Sequence, residues 1–377
     1  MLPLANLRLL DLSRQLPGPF CSTLLADLGM DTLVIAQPGD PFGTGIPFLA
    51  RNKRSMTLNL KSDAGRDIFF RLAERADVVL EGFRPGVTKR LGIDYATLSA
   101  RNPRLICCSI SGYGQDGPYR DRVGHDVNYL GFAGVLHSVG EAERAPVMPG
   151  VQIADIGAGS LMAAVGILTA VIARQHTGRG QCIDIAMLDG AFAWNVYNLL
   201  LRQLSGANPR RGREQLTGGY ACYNVYETRD GRHVTVGAYE PHFWATLCRH
   251  MGRDDLIPLQ WDEARREEIV EYFRAIFRKK TFDDWMRELG GKDICFGPVN
   301  TIDEALRDPQ LRHRNMIVEM DTPLGKMVTP NSPIKLSDTP PSLRTPPAAF
   351  GEHTDETLEQ LGFGQEQIKQ FREQGIV

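Results

Sequence analysis

Short apolar runs alternate with stretches of helical spacing through the first half of the chain. Residues 7–11, 32–35, 77–80 and 105–109 read as strands, and 19–28 and 65–76 as helices between them. Apolar strands separated by helices predict βαβ units and therefore a parallel sheet covered on both faces. The expected fold class is α/β, with a large domain built on a parallel sheet flanked by helices. A further apolar stretch at 161–173, rich in small residues, predicts a buried helix too short to span a bilayer.

Past residue 202 the pattern changes. Residues 203–219 turn polar and glycine-rich, which marks a linker. Two β-type runs, 221–227 and 233–238, flank Thr228-Arg229-Asp230-Gly231-Arg232 and predict a hairpin; helical spacing follows at 241–251 and 261–279. Together they predict a smaller α+β domain over 220–321. The proline-rich passage 322–347 leads to a helical pattern from 355, so 322–377 is expected to return to the large domain, 1–202.

A chain of 377 residues, 42% hydrophobic and 23% charged, has room for two globular cores. A net charge of -2 and short basic clusters at 209–213 and 278–280 argue against a nucleic-acid partner. The seven cysteines are odd in number and show no C-x-x-C spacing. Neither a metal site nor a disulfide framework is expected, and cytoplasmic residence fits reduced thiols. The N-terminus meets charge at Arg8 and lacks a cleavage pattern, so neither a signal peptide nor a membrane partner is expected.

Candidate chemistry sits in two strings. Gly124-His125-Asp126-Val127-Asn128-Tyr129 offers an imidazole, and Ala154-Asp155-Ile156-Gly157 offers a carboxylate. Imidazole titrates near neutrality and burial tunes a carboxyl toward it, so such a pair suits proton transfer. Read alone, the same residues also fit a core histidine and a helix cap. Arg84 and Arg90 have the geometry that phosphate recognition uses, and equally suit a solvated surface.

Several motifs then converge. Asn52-Lys53-Arg54-Ser55, Glu81-Gly82-Phe83-Arg84-Pro85-Gly86, Ser111-Gly112-Tyr113-Gly114-Gln115-Asp116-Gly117, Asp308-Pro309-Gln310 and Gly351-Glu352-His353-Thr354 closely resemble the class III coenzyme A transferase family, in its order and across nearly the whole chain. The string at 124–129 and Tyr239-Glu240-Pro241 resemble its α-methylacyl-CoA racemase branch. The resemblance implies two chemistries that meet at Asp155. In transferases the matching aspartate forms a covalent acyl-enzyme. In the racemase branch, His125 and Asp155 exchange a proton at the α-carbon of a thioester, and Glu240 orients His125. A non-catalytic acyl-CoA-binding protein is the remaining reading.

By the same resemblance, coenzyme A enters as part of the substrate, with no tightly bound cofactor. Its surroundings would be Leu58, Asn59, Leu60, Lys61, Gly82, Phe83, Arg84, Arg90, Gly124, Asp126, Val127, Asn128 and Tyr129, with Tyr113 nearby. Relatives often carry a basic residue near 35–38, where this chain reads Ile35-Ala36-Gln37-Pro38, so phosphate contacts there are in question. Backbone amides around Asp155 are expected to stabilise an enolate oxygen, and Gly157, Ala158 and Gly159 to admit the thioester. An interlocked homodimer is implied.

Overall fold

The computed structural model describes residues 1–40, 45–322 and 325–377. The chain divides into two compact units, one formed by residues 1–133, 150–194 and 310–377 and the other by 134–149 and 195–309.

The first unit is built on six parallel strands, β1 (Arg8–Asp11), β2 (Asp31–Ala36), β3 (Lys53–Thr57), β4 (Val78–Glu81), β5 (Ile106–Ser111) and β6 (Cys182–Ala186). Their order is β3-β2-β1-β4-β5-β6. Leu9 and Leu10 pair with Thr32 and Leu33 on one side and with Val78 and Val79 on the other, so β1 is central. A strand with neighbours on both edges and layers on both faces has no solvated side, which is why Leu9 and Leu10 of β1 and Val78, Val79 and Leu80 of β4 are apolar. Helix α1 (Pro17–Asp27) follows β1, with proline at its start where no N–H bond is lost. Helix α2 (Asp63–Ala73) is capped by Ser62, whose hydroxyl accepts from the Gly65 N–H at 3.0 Å. The C-terminal segment closes the same core: Leu358, Leu361, Ile368 and Ile376 pack with Leu10, Leu33, Phe69 and Val79.

Two strands of this sheet are not visible as apolar runs. β3 begins with Lys53 and Arg54, and Lys53 is nonetheless 4% exposed. Its ammonium donates to the Pro19 carbonyl at 2.9 Å and to Ser22 Oγ at 2.6 Å, while Arg54 forks onto Asp31. β6 is an edge strand that alternates exposed and half-buried positions.

The apolar stretch at 161–173 belongs to a longer helix, α3 running Asp126–Phe132 before it and α4 spanning Ile153–Thr177. At 25 residues, α4 is long and apolar enough to cross a bilayer by length and composition, contrary to the shorter helix expected. Nor is it buried all round. Ala163, Ile167 and Ala170 are buried, and Arg174 pairs with Asp77 at 2.8 Å. Val165 and Ile172 on the other side are each 57% exposed.

The second unit carries an antiparallel sheet, β7 (Tyr223–Glu227), β8 (His233–Gly237) and β9 (Phe296–Pro298), packed with helices Pro241–His250, Arg266–Phe277 and Phe282–Leu289. Its core is aromatic: Trp244, Trp285, Tyr226, Phe273 and Phe277 are all essentially buried. The polar tips are satisfied, with Trp285 Nε1 donating to the Phe277 carbonyl at 2.8 Å and Tyr226 Oη to the Ala221 carbonyl at 2.8 Å.

The unit boundary lies at 194/195 rather than 202/203, and residues 203–219 are part of the second unit rather than a free linker. Residues 134–149 join it because Arg211 Nε donates to the His137 carbonyl at 2.9 Å and Asn198 Nδ2 to Ser138 Oγ at 3.1 Å. The return to the first unit begins at 310. Within that return, β10 (Ile317–Thr322) and β11 (Gly325–Pro330) form an antiparallel pair, and β11 falls where an irregular passage was expected.

Candidate active site

The strand order itself creates an opening. From β1 the chain crosses to β2, and from β4 it crosses the other way to β5, so the two connections diverge beyond the carboxyl ends of β1 and β4. Ligands of open α/β sheets bind at such a point. Here a crevice of about 630 Å³ opens, lined by Arg14 and Gln15 after β1, by Gly82, Phe83 and Arg84 after β4, and by Ser111, Gly112 and Tyr113 after β5. Arg120, Arg122, Gly124, His125, Asn128, Tyr129 and Met187 complete its wall.

Buried polar groups pack around the strand ends. Asp11 at the end of β1 accepts from the Ser13 N–H at 2.9 Å and from Ser22 Oγ at 2.5 Å, and Lys53 Nζ lies 3.8 Å away. Burial pushes the Lys53 ammonium down to about 8, with the Asp11 charge pulling the other way. Glu81 ends β4, accepts from the Phe83 N–H at 2.6 Å, and is pushed up to about 6 by burial.

His125 is the residue that opens α3, exposed at the crevice wall, and its N–H donates to Asn128 Oδ1 at 3.0 Å. Tyr129 is buried one turn on and donates from its hydroxyl to the Gly124 carbonyl at 2.5 Å. A Cβ at position 124 would stand 2.8 Å from the Tyr129 ring, so glycine is required there. Asp126 faces the other way. Its Oδ1 accepts from the N–H groups of Ala154 at 2.7 Å and Asp155 at 3.3 Å, tying the start of α3 to the start of α4.

Asp155 lies half-buried in the first turn of α4, whose opening stretch Ile153–Leu161 is wound as a π-helix. Such windings recur at functional sites. Burial pushes the Asp155 carboxyl up to about 6, the Asp126 charge adds to the rise, and His125 partly offsets it. His125, Asp126 and Asp155 therefore form one electrostatic cluster.

Two expectations do not hold. The amides of Ala154 and Asp155 are engaged by Asp126, and that of Ile156 donates to the Gln152 carbonyl at 3.0 Å, so these three are not open to an enolate oxygen. Gly157 makes room for a protein side chain rather than for a thioester: a Cβ there would overlap the Trp194 ring at 1.7 Å. Gly159 likewise faces Met187 and Pro17.

The candidate CoA-binding residues separate into groups. Gly82, Phe83, Arg84, Gly124, Asn128 and Tyr129 line the large crevice. Leu58, Leu60, Lys61 and Arg90 line a second cavity of about 230 Å³, which shares Arg14 and Phe83 with the first. Asn59 lines neither; its N–H donates to the Ile376 carbonyl at 2.8 Å. Val127 is exposed outside both cavities. Glu240 belongs to the second unit, where it precedes helix Pro241–His250. Arg14, Gln15, Arg120 and Arg122 were not singled out from the sequence. Pro17-Gly18-Pro19 was the available signal, since proline there marks a helix start shortly after a strand and so a loop between them. Among the described residues, no group of three or more His, Cys, Asp or Glu side chains converges on a metal-sized space.

The pattern of CoA-transferase family III matches residues 4–354. The chain is 38% identical to the alpha-methylacyl-CoA racemase of Mus musculus over 377 residues, covering 99% of this chain and 97% of the mouse protein. It is 30% identical to the human succinyl-CoA:glutarate CoA-transferase, covering 100% of this chain and 90% of that protein. Among solved structures, a CAIB/BAIF family protein from Brucella suis superposes with a TM-score of 0.82 at 31% identity, over 95% of this chain and 99% of the other. A switch-point crevice, an ordered set of motifs and full-length similarity thus agree, and the chain belongs to CoA-transferase family III.

Proposed function

We propose that this protein racemises or epimerises 2-methyl-branched acyl-CoA thioesters by two-base proton transfer at the α-carbon. The observation that carries the reading is the tie through Asp126 between the start of α3, where His125 lines the crevice, and the first turn of α4, where burial pushes the Asp155 carboxyl up to about 6. A carboxyl in that range both accepts and donates a proton near neutrality, as an imidazole does. The thioester acidifies its α-hydrogen. For one stereoisomer His125 removes that proton and protonated Asp155 delivers another to the opposite face of the enolate; for its mirror image the roles reverse. The full-length similarity to a racemase supports this assignment.

Several further assignments belong to the same proposal. Arg84 and Arg90 meet CoA phosphates, and CoA is bound only as part of the substrate. The partner is a second copy of the chain in an interlocked dimer, and the exposed apolar side of α4, with Leu161, Val165 and Ile172, supports it. Cytoplasmic residence is consistent with seven free cysteines.

The test is incubation of single-enantiomer 2-methylacyl-CoA in deuterated water with chiral analysis, with and without a candidate acceptor acid. Inverted, labelled product without acceptor is the expected result. Unlabelled product, obligatory acceptor and an adduct on Asp155 would instead establish CoA transfer, the activity named for the human relative at 30% identity. Tight thioester binding with neither activity would establish a binding protein.

A further inference from the structure

The geometry points to a second ligand site at the amino end of the parallel sheet, for a small dianion bearing phosphate or carboxylate groups. Arg8 opens β1, Asp31 opens β2 and Arg54 is the second residue of β3, whereas the crevice lies beyond the carboxyl ends of the strands. All three line a cavity of about 250 Å³ that Arg75, just past the end of α2, and Gln360, at the end of helix Thr354–Gln360, complete. None of its arginines lines the crevice.

The positive charge of this cavity is not cancelled by its surroundings. Asp31 is the one acid in its wall, and Arg54 holds it, Nη2 donating to both carboxylate oxygens at 3.1 Å. The acids just after α2 are engaged elsewhere: Asp77 pairs with Arg174 at 2.8 Å and Glu74 with Arg101 at 3.4 Å. Backbone oxygens at the same place are met as well, those of Ala73 and Ala76 by Asn102 Nδ2 at 3.0 and 2.9 Å. Arg75 spends one donor on the Gln360 carbonyl at 3.3 Å. Among the described residues no carboxylate pairs with the guanidinium of Arg8 or of Arg75, and both residues are exposed. Two unpaired guanidinium groups match a dianion, and their planar forks of donors fit phosphate and carboxylate oxygens alike. Buried Leu9, Leu10 and Leu33 back the cavity, and an apolar wall behind like charges concentrates their field. The volume lies below the roughly 300–1,000 Å³ of sites for drug-sized ligands, so the occupant is small. Standing at the opposite end of the strands from the crevice, it acts on the fold rather than in the reaction.

The experiment follows thermal unfolding of the full chain at constant ionic strength with rising inorganic phosphate, succinate or chloride. Wild type, Arg8→Gln/Arg75→Gln and Arg84→Gln are compared, the last as a control for anions held in the crevice. A ligand of the native state raises the midpoint in a saturable way, which yields an apparent affinity. Phosphate or succinate should do so and chloride should not. Arg8→Gln/Arg75→Gln should weaken that affinity roughly ten- to a hundredfold, the worth of a charge-assisted hydrogen bond, and Arg84→Gln should leave it unchanged. Should the double variant fail to fold, Arg8→Gln alone gives the answer, because its guanidinium has no ion pair to lose. A stronger response to phosphate assigns the site to a phosphoryl ligand, and a stronger response to succinate to a dicarboxylate. No saturable shift in wild type, an equal shift with chloride, or a shift that survives the loss of Arg8 and Arg75 overturns the site. Loss of the shift in Arg84→Gln alone overturns it too, by placing the anion in the crevice.

Discussion

Among the described carboxyl groups with displaced titration, those of the two units move in opposite directions. In the second unit Asp230, Asp255, Glu268, Asp284, Glu288 and Glu304 are all held below the ordinary range, chiefly by hydrogen bonds from Thr228, Arg253, Arg265, Thr281, Lys280 and Thr301. In the first unit Glu81, Asp155 and Asp189 are all pushed up, chiefly by burial. The second unit thus uses acids as helix caps and ion-pair partners around an aromatic interior, where their worth is structural. The first holds two of its acids at the end of β4 and at the start of α4. Acids whose neutral form is accessible near pH 7 are what proton transfer requires.

The contrast breaks most directly at Asp155. Asp155→Asn should lower α-proton exchange by about a hundredfold to ten-thousandfold, the range for losing a general acid-base group. Asp255→Asn in the second unit should leave exchange intact. Deuterium incorporation into a single-enantiomer thioester measures both, and comparable losses would erase the distinction. The structural counterpart is Trp285→Ala. Removing a side chain that is 2% exposed, with its Nε1 donating to Phe277, should cost about 3–5 kcal/mol in urea unfolding followed by circular dichroism.

The sequence showed the central strands more readily than the rim. β1, β4 and β5 lie between two layers, so burial on both faces leaves an apolar run that is recognisable without a structure. β3 hides because its lysine and arginine find their partners in Asp11, Ser22 and Asp31, all distant in sequence. The same reasoning separates the site residues. His125 and Asp155 are recognisable through family strings, whereas Arg14, Arg120 and Arg122 look like any surface arginine until strand order brings them to one crevice. Asp126 was expected to contact CoA; its amide partner Ala154 lies 28 positions away, a relation no local pattern carries.

Glu81 sharpens the comparison through the sign of its pH dependence. Its carboxyl is raised from 4.5 to about 6 by burial. The native state then binds more protons than the unfolded state between those values, so Glu81's contribution is fully present below pH 4.5 and is lost as pH rises through 6. The displacement corresponds to about 2 kcal/mol. Glu81→Gln retains an oxygen to accept from the Phe83 N–H and should flatten this part of the stability profile. Urea midpoints from pH 4 to pH 8 test it. Asp284 in the second unit, with its depressed titration, contributes in the opposite sense: its stabilisation is present above the unfolded value and lost as pH falls through the folded one.

The smallest expected effect isolates one charge in the raised cluster. Asp126 ranks after burial among the causes that lift Asp155, and its Oδ1 accepts from the Ala154 and Asp155 amides. Asp126→Asn keeps an oxygen for those bonds while removing the negative charge, so the α3–α4 tie should survive and the Asp155 titration should fall. In the direction that uses Asp155 as base, the acid limb of the rate profile then moves to lower pH by less than about one unit. A purely structural role for Asp126 would instead lower the rate at every pH with the limb unmoved, which makes limb position, rather than rate, the quantity that decides whether this acid acts through Asp155.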